Sequence, residues 1–442
     1  MTIEKLTIEK IAMGGSGLGF HEGRAIFVPA TAIGDVVSAE ITLGKKDHAF
    51  ARVTEYHSRG EGFIEPGCEA FTAPEPCGGC DWLMLDYPTQ LQYKEQLIHE
   101  LFRDHEALIG SCTPSGKQYH YRNKVYMPVG AELSYGIFAR YSHQIIPHQA
   151  CRNHPPVFDE ISTLLMELCK KAKVEPYNEE HNSGCLRHIG LRISHDTSEI
   201  LLILVCRSAR LPFSKTIVQG ITQAFPQIVG IVQNINRDKT NVILGSEEKL
   251  LFGRDYLQDM LSDLSFRIHY RSFWQVNHAT MENILTVMRA QMKKPYKVID
   301  AYCGIGAIGL SLASEISELV GIEEEQVAVK DATENAANNG FENARFICGK
   351  FEDTLNMLSQ DFQADVIILD PPRAGVQESA LWAIRKAGIS KILYLSCSQM
   401  SLARDLKILL QDDRYELKAL SSFDMFPNTW HIESLAVLEI RP

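Results

Sequence analysis

Apolar and polar positions follow different periods along the 442-residue chain, and the changes of period divide it into three parts. Over residues 1–58, short apolar runs such as Ala25-Ile26-Phe27-Val28 and Val36-Val37-Ser38-Ala39-Glu40-Ile41 alternate with Gly14, Gly15, Gly17, Gly19, Gly23, Gly34 and Gly44. Short strands joined by glycine turns predict a five-stranded β barrel of the OB type. Residues 59–270 predict a central α+β domain that opens on an aperiodic loop, 61–86, with Pro66, Pro74, Pro76 and three cysteines. Leu91, Leu97, Leu101 and Phe102, interleaved with charges, predict an amphipathic helix near 87–105 that packs on the last domain. A second helix is expected near 157–172, and strands at 199–205 and 227–235. From 271 to 442, apolar strands at 297–300, 319–323, 344–348, 365–370 and 391–396 alternate with helical stretches. The expected fold class is therefore α/β, with a doubly wound, Rossmann-like C-terminal domain that takes its ligands at the carboxyl ends of its strands.

Composition narrows this further. With 45% hydrophobic and 22% charged residues, the chain is of ordinary globular type. No run of eighteen apolar residues occurs and the start lacks a basic-then-apolar layout, so a cytoplasmic protein with no membrane partner is expected, a monomer by preference. Eleven cysteines at irregular intervals suit reduced thiols, a metal site or a catalytic thiol better than a disulfide framework. A net charge of −11 excludes a simple nucleic-acid coat but permits a local basic face.

Val298-Ile299-Asp300 closes one strand, and Gly304, Gly306 and Gly309 follow with the spacing of a nucleotide loop. A dinucleotide would bring a pyrophosphate here, where the Asp300 carboxylate would repel it. The same carboxylate suits the ammonium and sulfonium charges of S-adenosylmethionine. Glu323 closes the next strand and is placed to accept the ribose hydroxyls of either ligand. An NAD(P)-dependent oxidoreductase is the rival, disfavoured by Asp300. A ligand-free βα turn would leave both strand-end carboxylates unexplained.

Two more strand ends carry reactive groups. Asp370 precedes Pro371-Pro372-Arg373, whose prolines stiffen the loop, and Cys397 follows Leu393-Tyr394-Leu395-Ser396. A lone cysteine is ordinarily a small buried apolar residue, but a thiol at the ligand edge is a candidate nucleophile. Glu433, just before Leu435-Ala436-Val437-Leu438, is a candidate base, although alone it reads as a surface carboxylate. Thiolate, base and sulfonium donor suit one reaction. Thiolate addition to C6 of uracil makes C5 nucleophilic, C5 takes up the methyl group, and the base removes the C5 proton so that the thiol is expelled.

Cys68, Cys77 and Cys80, spaced C-x8-C-x2-C, with Cys151 as a fourth thiolate, suit zinc or an iron–sulfur cluster, and the spacing does not choose. Lys117, Arg122 and Lys124 stand among Tyr119 and Tyr121 with no acid between them. Such interleaving holds phosphates and stacks splayed bases, though as a bare pattern it is a solvated strand. Arg187, in Leu186-Arg187-His188, and Arg192 repeat the theme.

In order along the chain, Ser272-Phe273-Trp274-Gln275-Val276-Asn277, Asp300-Ala301-Tyr302-Cys303-Gly304-Ile305-Gly306, Asp370-Pro371-Pro372-Arg373, Ser396-Cys397 and His431-Ile432-Glu433 resemble the motifs of the RNA uracil-5-methyltransferases. The resemblance spans the whole chain. It implies Cys397 as nucleophile, Glu433 as base, and Gln275, Tyr302, Glu323 and Asp370 as contacts to S-adenosylmethionine. It also implies a [4Fe–4S] cluster on the four cysteines, although the interval from Cys68 to Cys77 is longer than relatives commonly show. Residues 11–19, Ile11 to Gly19, resemble part of a TRAM domain. The implied partner is RNA, and ribosomal (23S) RNA by preference over transfer RNA, because barrel and cysteines resemble the ribosomal branch more than the shorter tRNA enzymes. A single-stranded or loop uridine is expected, since leaving a stack costs a few kcal/mol. One departure stands out: the family's Ser-Cys-Asn-Pro is here Ser396-Cys397-Ser398-Gln399, which is expected to remove a hydrogen bond near the base and to loosen the turn. A non-catalytic, cluster-bearing RNA-binding protein is the rival that this departure leaves open.

Overall fold

A computed structural model describes residues 1–148 and 150–441, apart from the side chains of Asn356, Ser359 and Gln360. The N-terminal barrel contains six strands, because the first strand of the expected five is broken. Its first half, Thr2–Thr7, pairs with Val36–Gly44, and its second half, Lys10–Ile11, pairs with Gly17–His21 on the other side, which closes the sheet. Ile3, Leu6, Val28, Val37 and Ala49 fill the interior.

The central domain is a five-stranded sheet, in the order Glu247–Gly253, Ile228–Ile235, Ile200–Cys206, Leu186–Ile193 and Lys124–Pro128. Pro156–Lys171 and Ser214–Ala224 cover one face through Phe158, Ile161, Leu165, Ile217 and Ile221.

The C-terminal sheet has eight strands, in the order Ala344–Cys348, Ile316–Glu323, Tyr296–Ala301, Val366–Leu369, Lys391–Ser396, Glu433–Ile440, Tyr415–Phe423 and Ile109–Thr113. The central strands are continuously apolar because both faces are covered. Ile299, Ile367, Leu369, Ile392 and Tyr394 point into one core, and Val298, Val366, Ile368, Leu393 and Leu395 into the other.

Two segments expected in the central domain belong to this sheet's surroundings. Ile109–Thr113 forms its edge strand, parallel to Tyr415–Phe423, and Tyr87–Leu101 packs against one core through Tyr93, Leu97 and Ile98. The hairpin Tyr256–Leu261 with Leu264–His269 docks on the helix Gln326–Asn338, where the His269 N–H donates to Asp331 (2.8 Å) and the Arg267 N–H to Asn335 (2.7 Å). Among the described residues, no helix is long and apolar enough to cross a membrane.

Asp86 caps the helix Tyr87–Leu101 by accepting from the Thr89 N–H at 2.9 Å. Its buried stripe is Gln90, Tyr93, Lys94, Leu97 and Ile98, and two of those five are polar, so apolar periodicity finds the helix but not the whole of its buried stripe. Lys94 is fully buried and pairs with Asp424 at 2.5 Å, while its Nζ also donates to the Phe426 carbonyl at 3.2 Å. Removing one partner of a buried pair leaves the other charge without solvent, at a cost of about 3–5 kcal/mol. Lys94→Met is therefore expected to lower the urea midpoint strongly, and Lys94→Met with Asp424→Leu to recover part of the loss.

Candidate active site

The strand Glu433–Ile440 runs antiparallel to its neighbour, with Ser434 opposite Ser396, so it begins where the parallel strands end. Asp300, Glu323, Asp370, Cys397 and Glu433 therefore meet along one edge of the sheet. Asp300 is buried; its Oδ2 accepts from the Gly309 N–H at 2.9 Å, and its Oδ1 has no hydrogen-bond partner. A Cβ at Gly309 would stand 2.8 Å from that Oδ2, so glycine is what permits the approach. Gly306, with φ +81°, turns the chain into the short helix Ala307–Ser311. Gly304 donates its N–H to Glu323 Oε2 at 3.0 Å. Tyr302 adopts φ +61°, lies beside the Phe351 ring and donates to Glu352 at 3.3 Å. The Gln275 side chain hydrogen-bonds Asp370, while its carbonyl accepts from Asn123 at 3.0 Å.

This edge concentrates negative charge out of water. Burial raises Asp300 to about 7, helped by Asp370 and Glu323 and opposed by the Gly309 N–H. Burial raises Asp370 to about 7 as well, against the Gln275 hydrogen bond. Glu433 is 2% exposed, its Oε1 has no hydrogen-bond partner, and burial followed by Asp370 lifts it well above the carboxylate range. Burial, Glu433 and Asp370 push the Cys397 thiol up to about 11. Arg373 opposes the shift at both Cys397 and Glu433. Unpaired buried acceptors beside clustered acids call for a cation with hydrogen-bond donors, which an aminoacyl sulfonium supplies and a pyrophosphate does not.

The turn after Cys397 is tighter than its sequence suggests. Ser396 Oγ accepts from the Ser398 N–H and donates to the Ser398 carbonyl, both at 3.1 Å, and Ser398 caps the helix Gln399–Leu409. Serine hydroxyls thus close the turn that lacks the family's proline.

The loop before Glu433 hangs on residues that no motif revealed. Asn428 is fully buried in the left-handed region (φ +66°), and its carbonyl accepts from the Asp81 and Trp82 N–H groups at 2.9 and 3.0 Å. Its N–H donates to Gln90 (2.8 Å), and its side-chain amide donates to the Gln118 carbonyl and to Asn153, each at 3.0 Å. One asparagine thus joins the cysteine loop, the capped helix, the basic segment and the loop before Glu433. The only sequence signal is a Pro-Asn turn dipeptide at 427–428.

Of the proposed RNA contacts, Lys117 is exposed, and Arg122 donates from Nε to the Lys124 carbonyl at 3.2 Å. Lys124 is half-buried over the Tyr126 ring, and burial, with Arg192 and Arg122 nearby, holds its ammonium well below the usual range. Arg187 is a correction. It is 5% exposed, and its guanidinium donates to the carbonyls of Asn236, Asp238 and Thr240 at 2.9, 2.7 and 3.2 Å, so it ties a loop and does not reach a phosphate. Arg192 is likewise buried, on the carbonyls of His269 and Ser272. A cavity of about 400 Å³ opens beside Trp430 and His431, lined also by Tyr126, Phe138, Arg140 and His188.

Cys68, Cys77, Cys80 and Cys151 line one cavity with Phe71, Leu83 and Val125, and none of the four is in a disulfide. Asn153 donates to Cys80 Sγ at 3.1 Å, and the Gly79 N–H to Cys77 Sγ at 3.3 Å. Asp81, next to Cys80, pairs with Arg140 at 2.8 Å and accepts from the Trp430 N–H at 3.3 Å.

A profile of the tRNA (uracil-5-)-methyltransferase family matches residues 86–441. An uncharacterised RNA methyltransferase of Halalkalibacterium halodurans is 35% identical over 99% of this chain and 97% of its own length, and one of Listeria innocua is 36% identical over the same shares. The crystal structure of the Pyrococcus abyssi tRNA (uracil-54, C5)-methyltransferase in complex with S-adenosyl-L-homocysteine superposes with a TM-score of 0.80 at 25% identity, covering 98% of this chain and 99% of that one. The anionic strand edge and the full-length likeness agree: the chain belongs to the RNA uracil-5-methyltransferase family, enzymes that take their methyl group from S-adenosylmethionine.

Proposed function

We propose that the protein methylates C5 of a single-stranded or loop uridine in RNA through a covalent intermediate on Cys397. The observation that carries this reading is the junction of Cys397, Asp370 and the unpaired Glu433 carboxylate at one buried edge. The donor's methionyl charges would rest against Asp300 and Asp370, with Glu323 at the ribose and Tyr302, Gln275, Gly304 and Gly306 around it. Cys397 adds to C6 of uracil, C5 attacks the methyl group as S-adenosylhomocysteine leaves, and Glu433 removes the C5 proton so that the C6–S bond breaks and the thiolate is restored. The neighbouring acids keep the thiol protonated until a cation enters, so donor binding favours thiolate formation. Lys117, Arg122 and Lys124 would hold the RNA backbone, with the cavity beside Trp430 and His431 open to a splayed base.

Ribosomal RNA is the substrate we propose first, on the strength of the TRAM-like barrel and the thiol loop. Transfer RNA is the second reading, favoured by the tRNA enzyme whose structure matches 98% of this chain and 99% of its own length. The cysteines are proposed to hold a [4Fe–4S] cluster. Zinc would draw four thiolates to about 3.8 Å apart around bonds of about 2.3 Å. Four thiols lining one cavity suit either group, and the family resemblance favours the iron–sulfur cluster. Its role would be to clamp Asp81, and through it the loop before Glu433.

Three outcomes test these statements. RNA carrying 5-fluorouridine, incubated with S-adenosylmethionine, is expected to form a denaturation-stable adduct that Cys397→Ala abolishes, with turnover falling more than ~10⁴-fold; ribosomal and transfer RNA run in parallel identify the substrate, and no adduct on either RNA overturns the mechanism. Because a bound cation favours ionised Asp300 and Asp370, donor binding near pH 7 is expected to release on the order of one proton, and affinity to fall as pH drops below about 7. Titration calorimetry in buffers of different ionisation heat measures this, and Asp300→Asn diminishes it. Finally, Cys80→Ser is expected to remove the iron and the absorbance near 400 nm, and to speed amide exchange over residues 424–432; iron-free wild-type protein with unchanged exchange would exclude the clamp.

A further inference from the structure

Gln399 departs from the family's usual proline, and the methyl-transfer scheme above gives it no task. It is 3% exposed, at the first position of the helix Gln399–Leu409 and two residues after Cys397. Its Nε2 donates to the Ile432 carbonyl at 2.8 Å and lies 3.2 Å from Ser434 Oγ. These atoms bracket Glu433 on both sides. The Glu433 carboxylate itself has an oxygen with no hydrogen-bond partner, so its aim depends on how its backbone is held. A proline here would stiffen the turn after the cysteine but has no side-chain donor to reach the facing strand. The amide couples the two strand ends directly.

We infer that Gln399 is a positioning residue for proton abstraction, fixing Glu433 relative to Cys397 through Ile432 and Ser434. The inference rests on the reading of Cys397 as nucleophile and Glu433 as base. In the step concerned, the methylated uracil is bonded through C6 to Cys397 and carries a proton on C5. Glu433 takes that proton, the C–H electron pair forms the C5–C6 double bond, and the C6–S bond breaks with its electrons returning to sulfur as thiolate. A displaced Glu433 slows this elimination and leaves the earlier addition and methyl transfer in place.

The test compares wild type, Gln399→Ala and Gln399→Pro on natural uridine RNA with S-adenosylmethionine labelled in its methyl group. Proline is tolerated at the first helical position, so the second variant guards against a failure to fold. Both variants are expected to lower kcat by about 10- to 100-fold with KM for RNA and donor little changed, and to accumulate a denaturation-stable, methyl-labelled RNA adduct that wild type does not. Their adducts with 5-fluorouridine RNA should form at the wild-type rate, because the trap precedes elimination. Variants that turn over like wild type, or that lose adduct formation and turnover together, overturn the positioning role. No 5-fluorouridine adduct in wild type would instead overturn the covalent reading beneath it.

Discussion

Burying Asp300, Asp370 and Glu433 beside a thiol, with Arg373 as the opposing cation, is the constraint around which this structure is arranged. Carboxylates placed so close in a dry environment hold one another's protons and leave acceptors without donors. Only a group that brings positive charge and N–H donors relieves both conditions. The same arrangement explains why one sheet edge serves two purposes: Asp300 and Glu323 face the loop of glycines, and Cys397 and Glu433 stand on the adjacent strands, with Asp370 between them.

Holding such an edge requires rigid support, since each charged group resists its neighbours. The support comes from outside the alternating βα pattern. The Lys94–Asp424 pair fixes the start of the loop before Glu433, Asn428 fixes its middle, and Gln399 brackets its end. Gly15 of the barrel closes on Trp430, whose Cβ would lie 2.9 Å from a Cβ at that glycine, and its carbonyl accepts from Trp82 Nε1–H at 2.8 Å. Barrel, thiol loop and central domain thus all bear on the residues adjoining Glu433.

Much of this was legible in the chain. Continuous apolar strands such as Val366–Leu369 read as a sheet covered on both faces, and acids at strand ends with glycines after them read as a ligand edge. Helix Pro156–Lys171 and strands Ile200–Cys206 and Ile228–Ile235 lie within a residue of their expected spans. Periodicity marked the helix at Tyr87–Leu101 but not the polar Gln90 and Lys94 in its buried stripe, and it missed Ile109–Thr113, a strand whose partner lies some 300 residues away. Arg187 misled because a cationic side chain satisfying three carbonyls has the same letter as one reaching for phosphate.

The sequence by itself determined the layered α/β architecture and the acids and thiol that its strand ends carry, because these follow from local period and from chemistry carried by single residues. Only the tertiary structure decided which residues hold that edge in place. Lys94 with Asp424, Asn428 with Gln90 and Asn153, and Gln399 with Ile432 and Ser434 are pairings across tens to hundreds of residues. A buried polar side chain is specified by the partner that satisfies it, and that partner is known only once the chain has folded.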